Sequence, residues 1–181
     1  FYQKIKVGHI EAGLRTNDLL KPYPEEANRR LIAQIASLHF APTKLAHDNL
    51  TKSNVSGDIF ITGNTVIDAL YMISKREIMD FKINGIDWQN KKVILTTVHR
   101  RENWGHNLLE IISSIQELTE KHNNLQFLIP LHPNKIVRDP LKKYLGNNKN
   151  VFLVNHMKYD VLAFAMKRCE LVLTDAGGIQ E

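Results

Sequence analysis

Five clusters of chemically capable residues punctuate a sequence of 181 residues. They are Gly8 to Thr16, Pro24 to Arg29, Thr97 to Asn103, Leu131 to Asn134 and Thr174 to Glu181. Glu11 follows an apolar stretch, where a charge is either partnered or functional. A carboxylate held in a cleft can act as general acid or base. Glu25 would be favourable in a first helical turn whatever its function. His99, Arg100 and Arg101 could neutralise phosphate or stabilise a leaving group. They read equally well as surface arginines beside a capping His, with Arg101 paired to Glu102. Gly177 and Gly178 would let backbone approach a ligand at a helix start, an arrangement that binds phosphate. An ordinary capped turn explains the same two residues, and the pattern is neither a Walker loop nor Gly-x-Gly-x-x-Gly. The eight His match no ligand spacing, so no metal is expected. His106, His122 and His156 read as surface or loop residues.

These clusters need elements to hold them. Strand patterns run over Ile5–Ile10, Leu38–Ala41, Asp58–Thr62, Val93–Thr97, Leu125–Pro130, Val151–Val154 and Leu171–Thr174. Between them lie helical patterns. One opens at Pro24 and carries Leu31, Ile32, Ile35 and Ala36; the next covers Lys44–Leu50; a third follows Gly63-Asn64-Thr65 through Ala69 and Met72. The amphipathic run Asn107–His122 would turn Leu109, Ile112, Ile115 and Leu118 to the core. Pro140–Leu145 reads as a short helix and Asp160–Arg168 as another. Such alternation implies one or two doubly wound parallel α/β sheets, whose ligands bind where strands end and helices begin. Every one of the five clusters falls at such a junction. The polar stretch 80–92, with Asn84, Gly85 and Asn90, is the expected linker between domains at 1–79 and 93–181.

Composition sets outer bounds. A hydrophobic content of 43% supports a true core, and 24% charged residues of both signs exclude a disordered tail. No apolar run approaches the ~20 residues of a membrane span, and no signal peptide is visible, which points to the cytoplasm. The lone Cys169 excludes an internal disulfide. The net charge of +5 lacks the basic stripe and interleaved aromatics of nucleic-acid recognition, so no nucleic-acid or membrane partner is expected.

Read together, the clusters resemble the non-hydrolysing UDP-N-acetylglucosamine 2-epimerases. The resemblance rests on His9-Ile10-Glu11-Ala12-Gly13-Leu14-Arg15-Thr16, Pro24-Glu25-Glu26-Ala27-Asn28-Arg29, Gly63-Asn64-Thr65, His99-Arg100-Arg101-Glu102-Asn103 and the run Asp175 to Glu181, in that order and spacing. It implies a GT-B-like pair of Rossmann-type parallel-sheet domains, both incomplete in this chain. It implies an isomerase that interconverts UDP-N-acetylglucosamine and UDP-N-acetylmannosamine by elimination and re-addition of UDP, feeding bacterial surface polysaccharide. By the same resemblance Glu11, Glu25 and His99 are catalytic, and Ala176, Gly177, Gly178 and Glu181 bind substrate. Arg100 and His132 are candidates for contacting a second, activating nucleotide sugar. No dissociable cofactor is implied, and a homodimer is.

Departures from the family pattern accompany the match. The family's first strand and loop and a further catalytic Asp would precede Phe1, and a second Glu and more helices would follow Glu181. Ala176 stands where a Ser is usual, and Leu162 near where an aromatic meets the uracil. The 181 residues alone are therefore expected to be inactive or very weak. Three rivals stay open: a hydrolysing epimerase releasing free N-acetylmannosamine, a GT-B glycosyltransferase, and a non-catalytic nucleotide-sugar binding module.

Overall fold

Val93-Ile94-Leu95-Thr96-Thr97 is apolar almost throughout because it lies at the centre of a parallel sheet covered on both faces. In the computed structural model, which describes residues 1–75 and 83–180, packing divides the chain into two compact units, 1–69 and 70–181. Both are parallel α/β structures, the class expected from the alternating pattern. Among the described residues no helix is long and apolar enough to cross a membrane.

The first unit holds strands β1 (Gly8–Ile10), β2 (Leu38–Ala41) and β3 (Asp58–Ile61) in the order β1-β2-β3, all parallel. Helices α1 (Glu25–Ile35) and α2 (Lys44–Lys52) make the crossovers. Thr43 caps α2 by accepting from the Ala46 N–H at 3.1 Å. The core here is built of small residues: Ala12, Ala33, Ala41 and Ala46 around Leu50. Small side chains let helix and sheet backbones approach closely. That selects the Ala33–Ala36 side of α1 for burial, while Leu31, Ile32 and Ile35 face outward. On the sheet, Ile10, Phe40 and Phe60 stand in register; the Phe40 and Phe60 rings stack at 5.8 Å, and Ile10 stays 63% exposed. Strand β1 is shorter than the apolar run Ile5–Ile10 suggests. Lys4 takes a left-handed turn (φ 58°), its N–H bonding to the Phe1 carbonyl, and Ile5 is exposed. Helix α3 (Thr65–Ser74) follows β3 and spans the boundary between the units.

The second unit holds β4 (Lys92–Thr97), β5 (Leu125–Pro130), β6 (Val151–Val154) and β7 (Leu171–Thr174), ordered β6-β5-β4-β7 and all parallel. After β4 the chain passes a short 3₁₀ turn (Arg101–Asn103), α4 (His106–Lys121), β5, α5 (Lys135–Leu145) and β6. It then crosses back through α6 (Tyr159–Arg168) to set β7 on the other side of β4, and ends in α7 (Gly177–Gln180). The order of strands thus reverses at β4. Outside the carboxyl ends of the strands at such a switch point lies the crevice where ligands bind in open α/β sheets.

One face of this sheet packs on α4 and α5 through Ile94, Phe127, Ile129, Leu108, Ile112, Ile115, Val137 and Leu141. The other buries Val93, Leu95, Leu128, Met157 and Ala165. Of the stretch expected as a linker, 80–82 lie outside the described residues, while Ile83, Ile86 and Trp88 pack against this second face. Two local readings are corrected. In α4 it is Leu108 and not Leu109 that shares the buried stripe of Ile112, Ile115 and Thr119: at 3.6 residues per turn those four fall within an arc of about 60°, while Leu109 stands about 100° round from Leu108 and is exposed. Helix α5 begins at Lys135, well before Pro140. The Asn134 side chain caps it by accepting from the Ile136 N–H at 3.0 Å, and Pro140 sits inside, forfeiting one backbone bond while Val137, Leu141 and Leu145 stay buried.

Candidate functional site

In the first unit the sequence Glu11-Ala12-Gly13 turns sharply off β1. Glu11 adopts φ 61° with its side chain exposed, Ala12 is buried and donates its N–H to the Phe40 carbonyl at 3.0 Å. The Gly13 carbonyl accepts from Asn49 Nδ2 at 3.0 Å, which ties the turn to α2. Glu25 is the first residue of α1 and is exposed. The neighbouring Glu26, in contrast, is fully buried. It accepts from Arg30 Nε at 2.9 Å and from the Thr16 N–H at 3.3 Å. Glu26 therefore fastens the 12–18 loop, which follows Glu11, to the turn of α1 that carries Glu25. Sequence reasoning passed over Glu26 as one more acid at a helix start; only its burial distinguishes it.

Beneath this loop His9 and His39 sit side by side on β1 and β2, ring centroids 6.4 Å apart. His39 is fully buried and its Nε2 lies 2.9 Å from the Ser56 carbonyl, so that nitrogen is the donor. Burial, then His39, Arg15 and Arg29, hold the His9 imidazole below its ordinary 6.5.

In the second unit the clusters after β4, β5 and β7 converge at the switch point. The centre is Asp175, 11% exposed. Its carboxylate accepts from the His99 N–H at 3.0 Å, the Arg100 N–H at 2.9 Å and Asn103 Nδ2 at 3.0 Å. The strand ends are joined by a Thr97–Thr174 hydroxyl contact at 2.7 Å. The His99 ring stacks on His132 at 5.9 Å and 12°. His132 Nδ1 accepts from the Asn134 N–H at 3.1 Å, which leaves its proton on Nε2. Burial, then His99 and His156, push the His132 imidazole down, with Asp175 pulling the other way. His132 is thus a neutral N–H donor near pH 7.

Arg100 lies across the glycine turn: a β-carbon at 177 would come within 3.5 Å of Arg100 Nη2. Ala176 is buried, with its N–H given to Thr174 Oγ1 at 3.0 Å, and space around Gly178 is open. Thr97, His99, His132, His156, Met157 and Leu162 line a cavity of about 310 Å³ here, of the size small ligands occupy. The structure therefore gathers His99, Arg100, His132, Ala176 and Gly177 in one place, with Glu11 and Glu25 in the other unit. Glu181 lies outside the described residues.

Two members of this cluster carry no site role in the sequence reading: Asp175, which enters there only as part of the run Asp175 to Glu181, and His156, which reads as a surface or loop residue. Asp175 was legible in principle, since an acid directly after an apolar strand carries the same signal as Glu11. His156 was not, because nothing local distinguishes it from a loop residue. Among the described residues no three His, Cys, Asp or Glu gather as metal ligands would. Burial also pushes the Cys169 thiol up, away from nucleophilic use.

Two measurements test this geometry. Glu26→Ala strands the Thr16 N–H and the partly exposed Arg30, and is expected to cost about 2–3 kcal/mol in urea denaturation. An unchanged midpoint would deny Glu26 its fastening role. The second concerns acid. The unfolded chain protonates its histidines near 6.5, whereas folded His9 and His132 take the proton only at lower pH. Below 6.5 the unfolded state then binds more protons, so stability falls with acidification and is fully regained above 6.5. His9→Gln should flatten that dependence of the urea midpoint; an unaltered slope would contradict it.

The chain as a whole matches a family of known proteins. The family described as UDP-N-acetylglucosamine 2-epimerase matches residues 1–181. The UDP-N-acetylglucosamine 2-epimerase of Escherichia coli K12 is 44% identical over 190 residues, covering all of this chain and 50% of that protein. Among solved structures, that of UDP-GlcNAc 2-epimerase from Neisseria meningitidis bound to UDP-GlcNAc superposes with a TM-score of 0.94 at 45% identity, over all of this chain and 51% of the other. The Methanocaldococcus jannaschii UDP-GlcNAc 2-epimerase, in complex with UDP-GlcNAc and UDP, gives 0.77 at 33% identity, over 99% of this chain and 51% of the other. The class is therefore an α/β, GT-B-like protein of Rossmann-type sheets. Within it, this chain belongs to the UDP-N-acetylglucosamine 2-epimerase family, and it spans about half the length of the curated relatives it matches.

Proposed function

We propose that the protein interconverts UDP-N-acetylglucosamine and UDP-N-acetylmannosamine without hydrolysis. The observation that carries this reading is the cluster at the switch point of the second sheet, where Asp175 holds His99 and Arg100 beside the glycine turn. A carboxylate, Glu11 or Glu25, removes the C2 proton as the C1–O bond breaks and UDP departs, leaving a 2-acetamidoglucal. The proton returns to C2 on the opposite face and UDP adds back to C1. Both steps ask for charge stabilisation at the diphosphate, which fixed N–H groups and cations give. His99 serves near that leaving group, and the turn Ala176-Gly177-Gly178, with Glu181, holds the nucleotide. Arg100 and His132 contact a second, activating nucleotide sugar. The enzyme works in the cytoplasm as a homodimer.

The test is proton NMR of UDP-N-acetylglucosamine in deuterated water, with the protein at the full length of its relatives. Deuterium at C2 together with UDP-N-acetylmannosamine is the expected result. Release of free N-acetylmannosamine would replace this reading with a hydrolysing epimerase. Binding without exchange would leave a nucleotide-sugar binding module.

A further inference from the structure

We propose that Asp175 is a positioning residue for the reaction above, setting the His99 imidazole with its proton on Nδ1 and its Nε2 free to meet the ligand. The assignment rests on the functional reading only for its catalytic consequence; the proton placement follows from geometry. The 3₁₀ turn that begins at Arg101 receives no cap from the Arg100 side chain. Asp175, directly after β7, braces this segment instead, accepting from the His99 and Arg100 N–H groups just ahead of the turn and from Asn103 Nδ2 within it. These three contacts hold the carboxylate in place. The His99 Nδ1 then lies 3.4 Å from Asp175 Oδ1. A carboxylate is an acceptor only, so a nitrogen held against it is favourable there only when it bears the proton. Stacking on His132 restrains the ring from turning away. Of its two nitrogens, Nε2 is left without an assigned partner, and His99 lines the 310 Å³ cavity.

The arrangement differs from that of His132, whose Nδ1 accepts from a backbone N–H. Two stacked imidazoles therefore present opposite faces of their chemistry: His132 offers an N–H donor, and neutral His99 an acceptor at Nε2. Asp175 acts through His99 and does not itself touch the ligand.

Two experiments on the full-length protein decide the matter. Imidazole nitrogen NMR of the wild-type protein should show neutral His99 as the Nδ1–H tautomer; the Nε2–H tautomer would overturn the assignment. A double-mutant cycle then reads the coupling. Asp175→Asn is expected to lower kcat on the order of 100-fold in the native background. In a His99→Ala background it should lower kcat by less than about threefold, since the residue through which it acts is gone. Equal losses in both backgrounds would reduce Asp175 to a structural tie and overturn the proposal. Should the wild-type enzyme show no epimerisation, the functional reading fails. The tautomer measurement needs neither turnover nor a variant, and would still decide the placement of the proton.

Discussion

Glu11→Gln is expected to lower both epimerisation and C2 deuterium exchange by roughly three orders of magnitude, the middle of the range that a positioned general acid or base contributes. The substitution keeps shape and removes only the titrating oxygen. Because the Glu11 side chain is exposed and makes no buried contact, the variant should unfold at the wild-type urea midpoint. Loss of rate at unchanged stability is the diagnostic pairing. Glu25→Gln should behave alike, with a further small loss of stability of about 0.3–1 kcal/mol from the first turn of α1, where a negative charge faces the helix dipole. Measuring exchange and net conversion side by side adds information about the division of labour. A variant that still exchanges the C2 proton but no longer yields the epimer has lost the group that returns the proton to the opposite face. Full activity in Glu11→Gln would remove Glu11 from the mechanism.

Gly13→Ala is expected to destabilise the first unit by roughly 3–5 kcal/mol, among the largest effects of a single substitution. Gly13 has φ 89°, and a β-carbon there would stand 2.1 Å from the Ala46 carbonyl oxygen and 3.0 Å from Leu50 Cγ. The obstacle is helix backbone, which cannot swing aside as a flexible side chain could. The left-handed conformation adds about 1 kcal/mol of its own. Gly63→Ala is the control. Its φ of 77° is comparable, yet nothing lies within 4 Å of the added carbon, so it should cost only about 1 kcal/mol. Hydrogen exchange reads both. The Ala12 and Leu50 amides should exchange much faster in Gly13→Ala and little faster in Gly63→Ala. Equal protection in the two variants would mean that the Ala46 backbone yields easily.

Much of the architecture was present in the order of residues. Val93–Thr97 declared a buried strand because a central parallel strand is covered on both faces and so needs no polar alternation. The clusters after β1, β4, β5 and β7 declared themselves because polar residues directly after apolar strands mark the carboxyl edge of the sheet. Boundaries were less legible where two local signals compete. Pro140 reads as a helix start, yet the Asn134 cap and three buried residues outweigh one missing bond. In α1 the larger apolar residues suggested the buried face, and the alanines took it, because close approach of the backbones there admits only small side chains.

By itself, the sequence determined the α/β class, the strand ends that carry polar residues and, through the ordered motifs, the family. Tertiary structure alone decided which of those residues meet. Asp175 and His99 are 76 positions apart and become neighbours because β7 returns to pair with β4. His132 joins them because β5 lies on the other flank of β4. Glu26 becomes a buried fastener because α1 folds over the loop it follows. Periodicity reports which face of an element is apolar and is silent on which strands are adjacent. Adjacency is set by long-range packing of the whole sheet, and it is adjacency that gathers this site.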